Sequence, residues 1–531
     1  MKHNSKYLII SIICLIMFIG IIIGVSYAFF NYTRTGPVNL LSTGGITFTS
    51  DYEGVTLDGV FPTSFYSYET DNDNVATIEL NISGYTNYEK GLLYRVSLED
   101  VHSSIYSSYG GYDIYLISVM PTSSGLENIE LKEYDLFAEI EDDDVIAIGK
   151  IDPNTNVNGT ITIKAFIPSE VIAISDTINY DTSTSIVPTD ENGTTEEWVY
   201  GPEDWREQLT TSEWNSLASN PLSFKVKVET VDAKNYVKSI PAEIASQKNN
   251  ITEVYFEKMD DEEIDLRYNA ATYKADASIF GDGSVKAWIE GSKLYFASSD
   301  TIYLYDEFSF HDLTTYNIST ASFISPITKI EFNNINTSEM TSMQSMFSGL
   351  SNLTSLDLSG FDTSGVKNFS AMFSVCKSLT SLDLSGFNTS NAININSMFN
   401  GCSNLLSVDL SSFDTRNVKN MSQLFQLCEK IQTIDLSSFD TSSVRYMYLS
   451  FTGCKELKTV YVSDLWTTEN LDNSYTDSDM FGNSSAFYTK KIVGGAGTTF
   501  SSSHVDAEYA RIDDPSNGRP GYFTYKAHNN T

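Results

Sequence analysis

A chain of 531 residues with 41% hydrophobic and 13% aromatic content is too long for a single core and too apolar to be disordered throughout. Its formal charge of −36, with a pI near 4.3, repels nucleic acid and anionic lipid headgroups; it excludes both as partners and favours cations or basic proteins. The acidity is uneven: residues 30–232 carry 34 Asp and Glu against 9 Lys and Arg, whereas residues 233–531 carry 35 against 22.

Lys2 and Lys6 precede an uninterrupted apolar run from Tyr7 to Val25, long enough to span a bilayer with its N-terminus held inside. Ser26-Tyr27-Ala28 then supplies the small residues of a signal-peptidase site, with Ala28 as the cleavage residue. Residues 1–29 are therefore expected to be a signal peptide or a signal-anchor helix. In either case the bulk of the chain is extracellular, anchored to the membrane by that helix or secreted. Cys14 lacks the small preceding residue of a lipoprotein cysteine, and the C-terminus shows neither an apolar tail nor an LPxTG-like sorting signal.

From 30 to 232 the pattern is short alternating runs bounded by turn residues: ITFTS at Ile46, VATIELNIS at Val75, LLYRVSLED at Leu92, YDIYLISVM at Tyr112, GTITIKAFI at Gly159 and LSFKVKVETV at Leu222. Such rhythm predicts an all-β antiparallel sandwich. A short helix is expected over Pro202–Ala218. The EDDDV run at 141–145 reads as a solvated turn, with a structural calcium site as the alternative. The segments YAFFNYT, ITFTS and LDGVFPTS resemble the TasA/camelysin-like family of secreted proteins. That resemblance implies a jelly-roll-like sandwich, association with matrix fibres and, in some members, metallopeptidase activity. The chain contains no HExxH and only five histidines, so no residues argue for catalysis. Residues 233–253 read as a linker, with a short helix within Lys234–Asn250.

The second half is periodic. LTSLDLSGFDTSGVKNFSAMFSVCKS begins at Leu353 and recurs three times without a gap, with half-copies at Ile330 and Val460; the period is 26 residues. Leu356, Leu382, Val408 and Ile434 alternate with Leu358, Leu384, Leu410 and Leu436 across one polar residue, which predicts a short strand. Phe361, Phe387, Phe413 and Phe439 then turn the chain. Thr337, Thr363, Thr389, Thr415, Thr441 and Thr467 occupy the place of helix N-caps. The spacing of Val418, Met421, Leu424, Phe425 and Cys428 fits one face of a short helix. The fold class expected is an α/β leucine-rich-repeat solenoid over 330–476, with an N-terminal cap over 254–329 and a C-terminal cap over 477–531. Cys376, Cys402, Cys428 and Cys454 share a column with Leu350, which favours free buried thiols over disulfides or metal ligation.

The residue between the strand leucines points outward. Asp357, Asp383, Asp409 and Asp435 form a column there, with Glu331 before it and Tyr461 after it. With Ser355 and Ser359 these aspartates are the candidate contact residues for a basic ligand or a calcium ion; the alternative is a solvated acidic face. The repeat consensus closely resembles the BspA-like family of bacterial surface proteins. Met480-Phe481, KKIVGGAGTTF and GRPGYFTYK resemble its C-terminal cap, and Ser284–Asp306 its N-terminal cap. The resemblance implies an adhesin-like, non-catalytic interaction protein that binds an extracellular protein or glycan. A matrix or fibre subunit is the alternative, and a camelysin-like metallopeptidase a further one.

Overall fold

The computed structural model describes residues 38–231 in separate segments and residues 234–527 almost continuously, apart from 307, 318–321, 472–479 and 482–488. The expected N-terminal helix with Ala28, the helix over 202–218 and the acidic run at 141–144 lie outside the described residues. No helix among the described residues is long and apolar enough to cross a membrane. The chain divides into two compact units, Met1–Ala233 and Lys234–Thr531.

The first unit contains two five-stranded sheets in which every pairing is antiparallel. One runs, edge to edge, Val38–Thr43, Ile46–Asp51, Ala76–Thr86, Thr155–Phe166 and Tyr115–Ile117. The other runs Val55–Leu57, Leu222–Val231, Leu92–His102, Val145–Ile151 and Ile129–Leu131. Alternating apolar residues put Ile82, Tyr94, Val96, Ile148, Ile151, Val157 and Val228 inside. Gly149 is required where it stands: a Cβ there would fall 2.2 Å from Cζ of Tyr94.

Residues 233–253 are not a linker. Asn235–Val237 pairs in parallel with Ile302–Leu304, and Val237, Ile240, Ile244 and Ile251 enter the core of the second unit. That core is sealed at its start by a sheet of Lys274–Asp276, Lys286–Glu290, Lys293–Ser298, Glu253–Lys258 and Lys329–Phe332. One face of this sheet stacks Phe256 on Phe296 and Phe332. Trp288, on the opposite face, lies under the helix Asp261–Ala270, which Asp260 caps by accepting the N–H of Glu263.

The expected α/β leucine-rich-repeat solenoid, with a strand, turn and helix in each copy, is not what the repeats form. They contain no helix among the described residues and no continuous sheet. Their strands are two to four residues long and fall into separate small sheets: Ser381–Leu382 with Ser407–Val408, and Thr433–Leu436 with Thr459–Val462 and Phe523–Tyr525. Two local causes account for this. Asp357, Asp383, Asp409 and Asp435 each accept the N–H of the serine two residues on, at 3.0, 3.0, 3.0 and 3.1 Å, which curls the chain out of strand geometry. In the expected helical stretch, two non-adjacent residues per copy are left-handed; Ala371 and Val375, for example, have φ of 53° and 61°.

N–H groups in that stretch alternate between two partners. Met372, Ser374 and Cys376 bond the carbonyl three residues back. Phe369, Ala371, Phe373 and Val375 bond Asn394, Asn396, Met398 and Asn400 of the following copy at 2.6–3.0 Å. The copies thus stack as turn-rich coils held by hydrogen bonds between successive coils. A file of phenylalanines runs through their centre. Phe347, Phe373, Phe399, Phe425 and Phe451 stack at centroid separations of 5.3–6.4 Å with rings within 12° of parallel.

The recurring threonines are not helix caps either. Thr363 donates to the carbonyl of Asn388 (3.0 Å) and accepts that residue's N–H (2.8 Å); Thr389 does the same with Asp414 (3.0 and 2.8 Å). A buried hydroxyl therefore stands in for a peptide group and clasps each coil to the next. Buried Asn368, Asn394 and Asn420 bridge in parallel from coil to coil through their backbones, and within its own coil each side chain accepts the N–H two residues on (Ser370, Asn396 and Ser422) at 2.9–3.0 Å. The four repeat cysteines are free and buried. Each thiol donates to a phenylalanine carbonyl of the preceding coil at 3.0–3.2 Å. Burial pushes the thiols up, to about 12 for Cys402 and Cys454.

Candidate binding surface

The outward row begins in the sheet of the N-terminal cap, where Tyr255 lies opposite Glu331, and ends where Asp435 lies opposite Tyr461. Asp357, Asp383 and Asp409 stand between them and are exposed. The apolar residues on either side turn inward: Leu358, Leu382, Leu384 and Leu410 are buried and Leu356 and Val408 partly buried, which leaves the intervening aspartate facing water. Ser359 supplies the hydrogen bond to Asp357, while Ser355 is exposed beside it.

Asp357 and Asp383 are stabilised as anions by their own turns. The N–H and hydroxyl of Ser359 lower the pKa of Asp357. For Asp383 the Ser385 hydroxyl, at 2.7 Å, and N–H outweigh a small opposing push from the charge of Asp357. Asp357 and Asp383 are therefore held as anions, and the repulsion between them is small beside the local hydrogen bonding.

The ends of the row differ from its middle. Lys329 pairs with Glu331 at 2.6 Å and lies 5.2 Å from the ring centroid of Tyr255. At the far end Lys526 pairs with Asp435 and lies 5.8 Å from the ring of Tyr461. Burial alone would raise the pKa of Asp435, but Lys526 and Ser437 outweigh it and hold the carboxyl below its usual range. Sequence reasoning named the aspartates as candidates and did not name Lys329, Lys526 or Tyr255. Lys526 approaches from a strand whose pairing no periodicity announces.

No group of three or more His, Cys, Asp or Glu among the described residues is arranged to hold a metal ion. The GGAG loop at Gly494 folds around buried Asp513, which accepts the N–H groups of Ala496 and Thr498 at 2.9 Å and that of Gly521 at 3.2 Å. It is a structural turn of the C-terminal cap.

Residues 315–407 and 380–493 match the model of a family described as a Mycoplasma protein of unknown function, DUF285. The match lies within the second unit and covers the repeats. The DUF285 match spans the coils that carry Asp357, Asp383, Asp409 and Asp435, and it stops short of both the first unit and the strand that brings Lys526. It carries neither a BspA nor a TasA assignment. No curated protein and no solved structure matches the chain.

Proposed function

We propose that the chain is a non-catalytic, adhesin-like interaction protein of a bacterial cell surface, and that the acidic row of its repeat unit binds a basic protein partner. The observation that carries this reading is the contrast within the row. Both ends are already neutralised by lysines of the chain, whereas Asp357, Asp383 and Asp409 present three exposed carboxylates on a backbone fixed by coil-to-coil hydrogen bonds. Charge presented on a rigid scaffold favours specificity and fast association with an oppositely charged partner. The likeness of the repeat consensus to BspA-like surface proteins, and the apolar run behind Lys2 and Lys6, support the extracellular placement.

The test is calorimetric titration of the chain with pentalysine, with pentaglutamate and with a cationic chitosan oligosaccharide at low and physiological salt. Binding of pentalysine that weakens with salt is expected, and no binding of pentaglutamate. Binding of the oligosaccharide alone would replace the protein partner by a glycan. No binding of any probe would overturn the reading.

A further inference from the structure

Two lysines from unrelated segments of the chain sit on the acidic row in the same way. Lys329 lies on the same strand as Glu331, the carboxylate it pairs with. Lys526 lies 91 residues after Asp435, at the end of the strand Phe523–Tyr525. In both places the ammonium lies against a terminal carboxylate and near the ring of a tyrosine from the directly paired strand. The arrangement combines an ion pair with a cation–π contact, the chemistry by which a partner's lysine would be held.

We propose that the Asp435–Tyr461 end of the row is a self-occupied subsite, in which Lys526 fills the place of a partner's cationic side chain and acts as an autoinhibitory plug. The proposal rests on the reading that the row binds a basic partner. Both members of the pair remain open to water, with side chains 45% and 40% exposed, and an ion pair so exposed is weak enough to exchange. The plug can leave without unfolding the cap. The backbone N–H of Lys526 donates separately to the carbonyl of Val462 at 2.8 Å, and the strand is held in register by Phe523 and Tyr525.

The experiment titrates pentalysine into the full chain, into Lys526→Ala and into Lys455→Ala at low salt. Lys455 is an exposed lysine paired with Glu429 away from the row, and it controls for the loss of one positive charge. Lys526→Ala is expected to bind about two- to fivefold more tightly than wild type, the fold-change equivalent of an exposed ion pair. Lys455→Ala should bind as wild type does, and all three should share one melting temperature. Equal affinity of wild type and Lys526→Ala, or an equal gain in Lys455→Ala, would overturn the plug and leave the binding row standing. Absence of pentalysine binding in all three would overturn both.

Discussion

Gly453 makes room for Leu427: a Cβ on Gly453 would lie 2.6 Å from Cδ2 of Leu427, one coil earlier in the same column. Both residues are left-handed, with φ of 79° and 59°, and the column alternates Gly349, Val375, Gly401, Leu427 and Gly453. A large side chain in one coil is thus accommodated by a glycine in the next. Gly453→Ala meets both the contact and the backbone penalty, and is expected to cost about 1–2 kcal/mol. At Gly401 the added carbon would sit 3.4 Å from Val375, an ordinary contact, so Gly401→Ala should cost less. Urea unfolding of the two variants checks the ranking; equal losses would mean that the column is not paired in this way.

The threonine clasp gives a second expectation. Thr389→Val keeps the shape of the buried side chain but removes the hydroxyl that partners the N–H and carbonyl of half-buried Asp414. The loss should be about 1–3 kcal/mol, whereas replacing the half-buried Ser390 by Ala should cost less. Equilibrium unfolding of both variants tests the difference.

These two sites show what could be read from the chain and what could not. The period, the buried columns and the free thiols follow from residue types recurring every 26 positions, because burial depends on the column and not on the backbone path. The backbone path itself was hidden. Apolar residues spaced as Val418, Met421, Leu424, Phe425 and Cys428 satisfy a helix, but they satisfy a chain of turns equally well. The choice is made by hydrogen bonds to residues 25 positions away. Thr389 was misread for the same reason: its partner lies in the next coil. Buried Asn368, Asn394 and Asn420 carried a signal of their own, a polar residue recurring within an apolar run, and it pointed to a ladder.

The C-terminal cap should be acid-sensitive. Burial alone would raise the pKa of Asp513, yet the donors of Thr498, Gly521 and Ala496 outweigh it and leave the folded value lowered. Stability from this group is present above the unfolded carboxyl pKa and is lost as pH falls through the lower folded value, so the loss occupies the window below about pH 4. Asp513→Asn should melt at a lower temperature at pH 7 and approach wild type as the pH drops toward 2. A wild-type difference that persists unchanged to pH 2 would rule out the carboxylate as the cause.

The four repeat thiols should be inert in the native state. Their burial and raised pKa remove the thiolate that reacts with disulfide reagents. Labelling at pH 8 followed by peptide mass mapping should find Cys376, Cys402, Cys428 and Cys454 unmodified until denaturant is added. Rapid modification of any one in native protein would contradict its place in the core.

The central claim is that the exposed carboxylates in the middle of the row bind a basic partner and are not needed for folding. It is tested most directly by titrating pentalysine into wild type and into the triple variant Asp357→Asn, Asp383→Asn, Asp409→Asn. Each asparagine can still accept the N–H of its turn but gives up the charge that the turn favours, so the variant should stay folded and melt slightly below the wild-type temperature. Its affinity for pentalysine should fall about tenfold or more. Unchanged affinity in a folded triple variant would show that the row is a solvated face and nothing more.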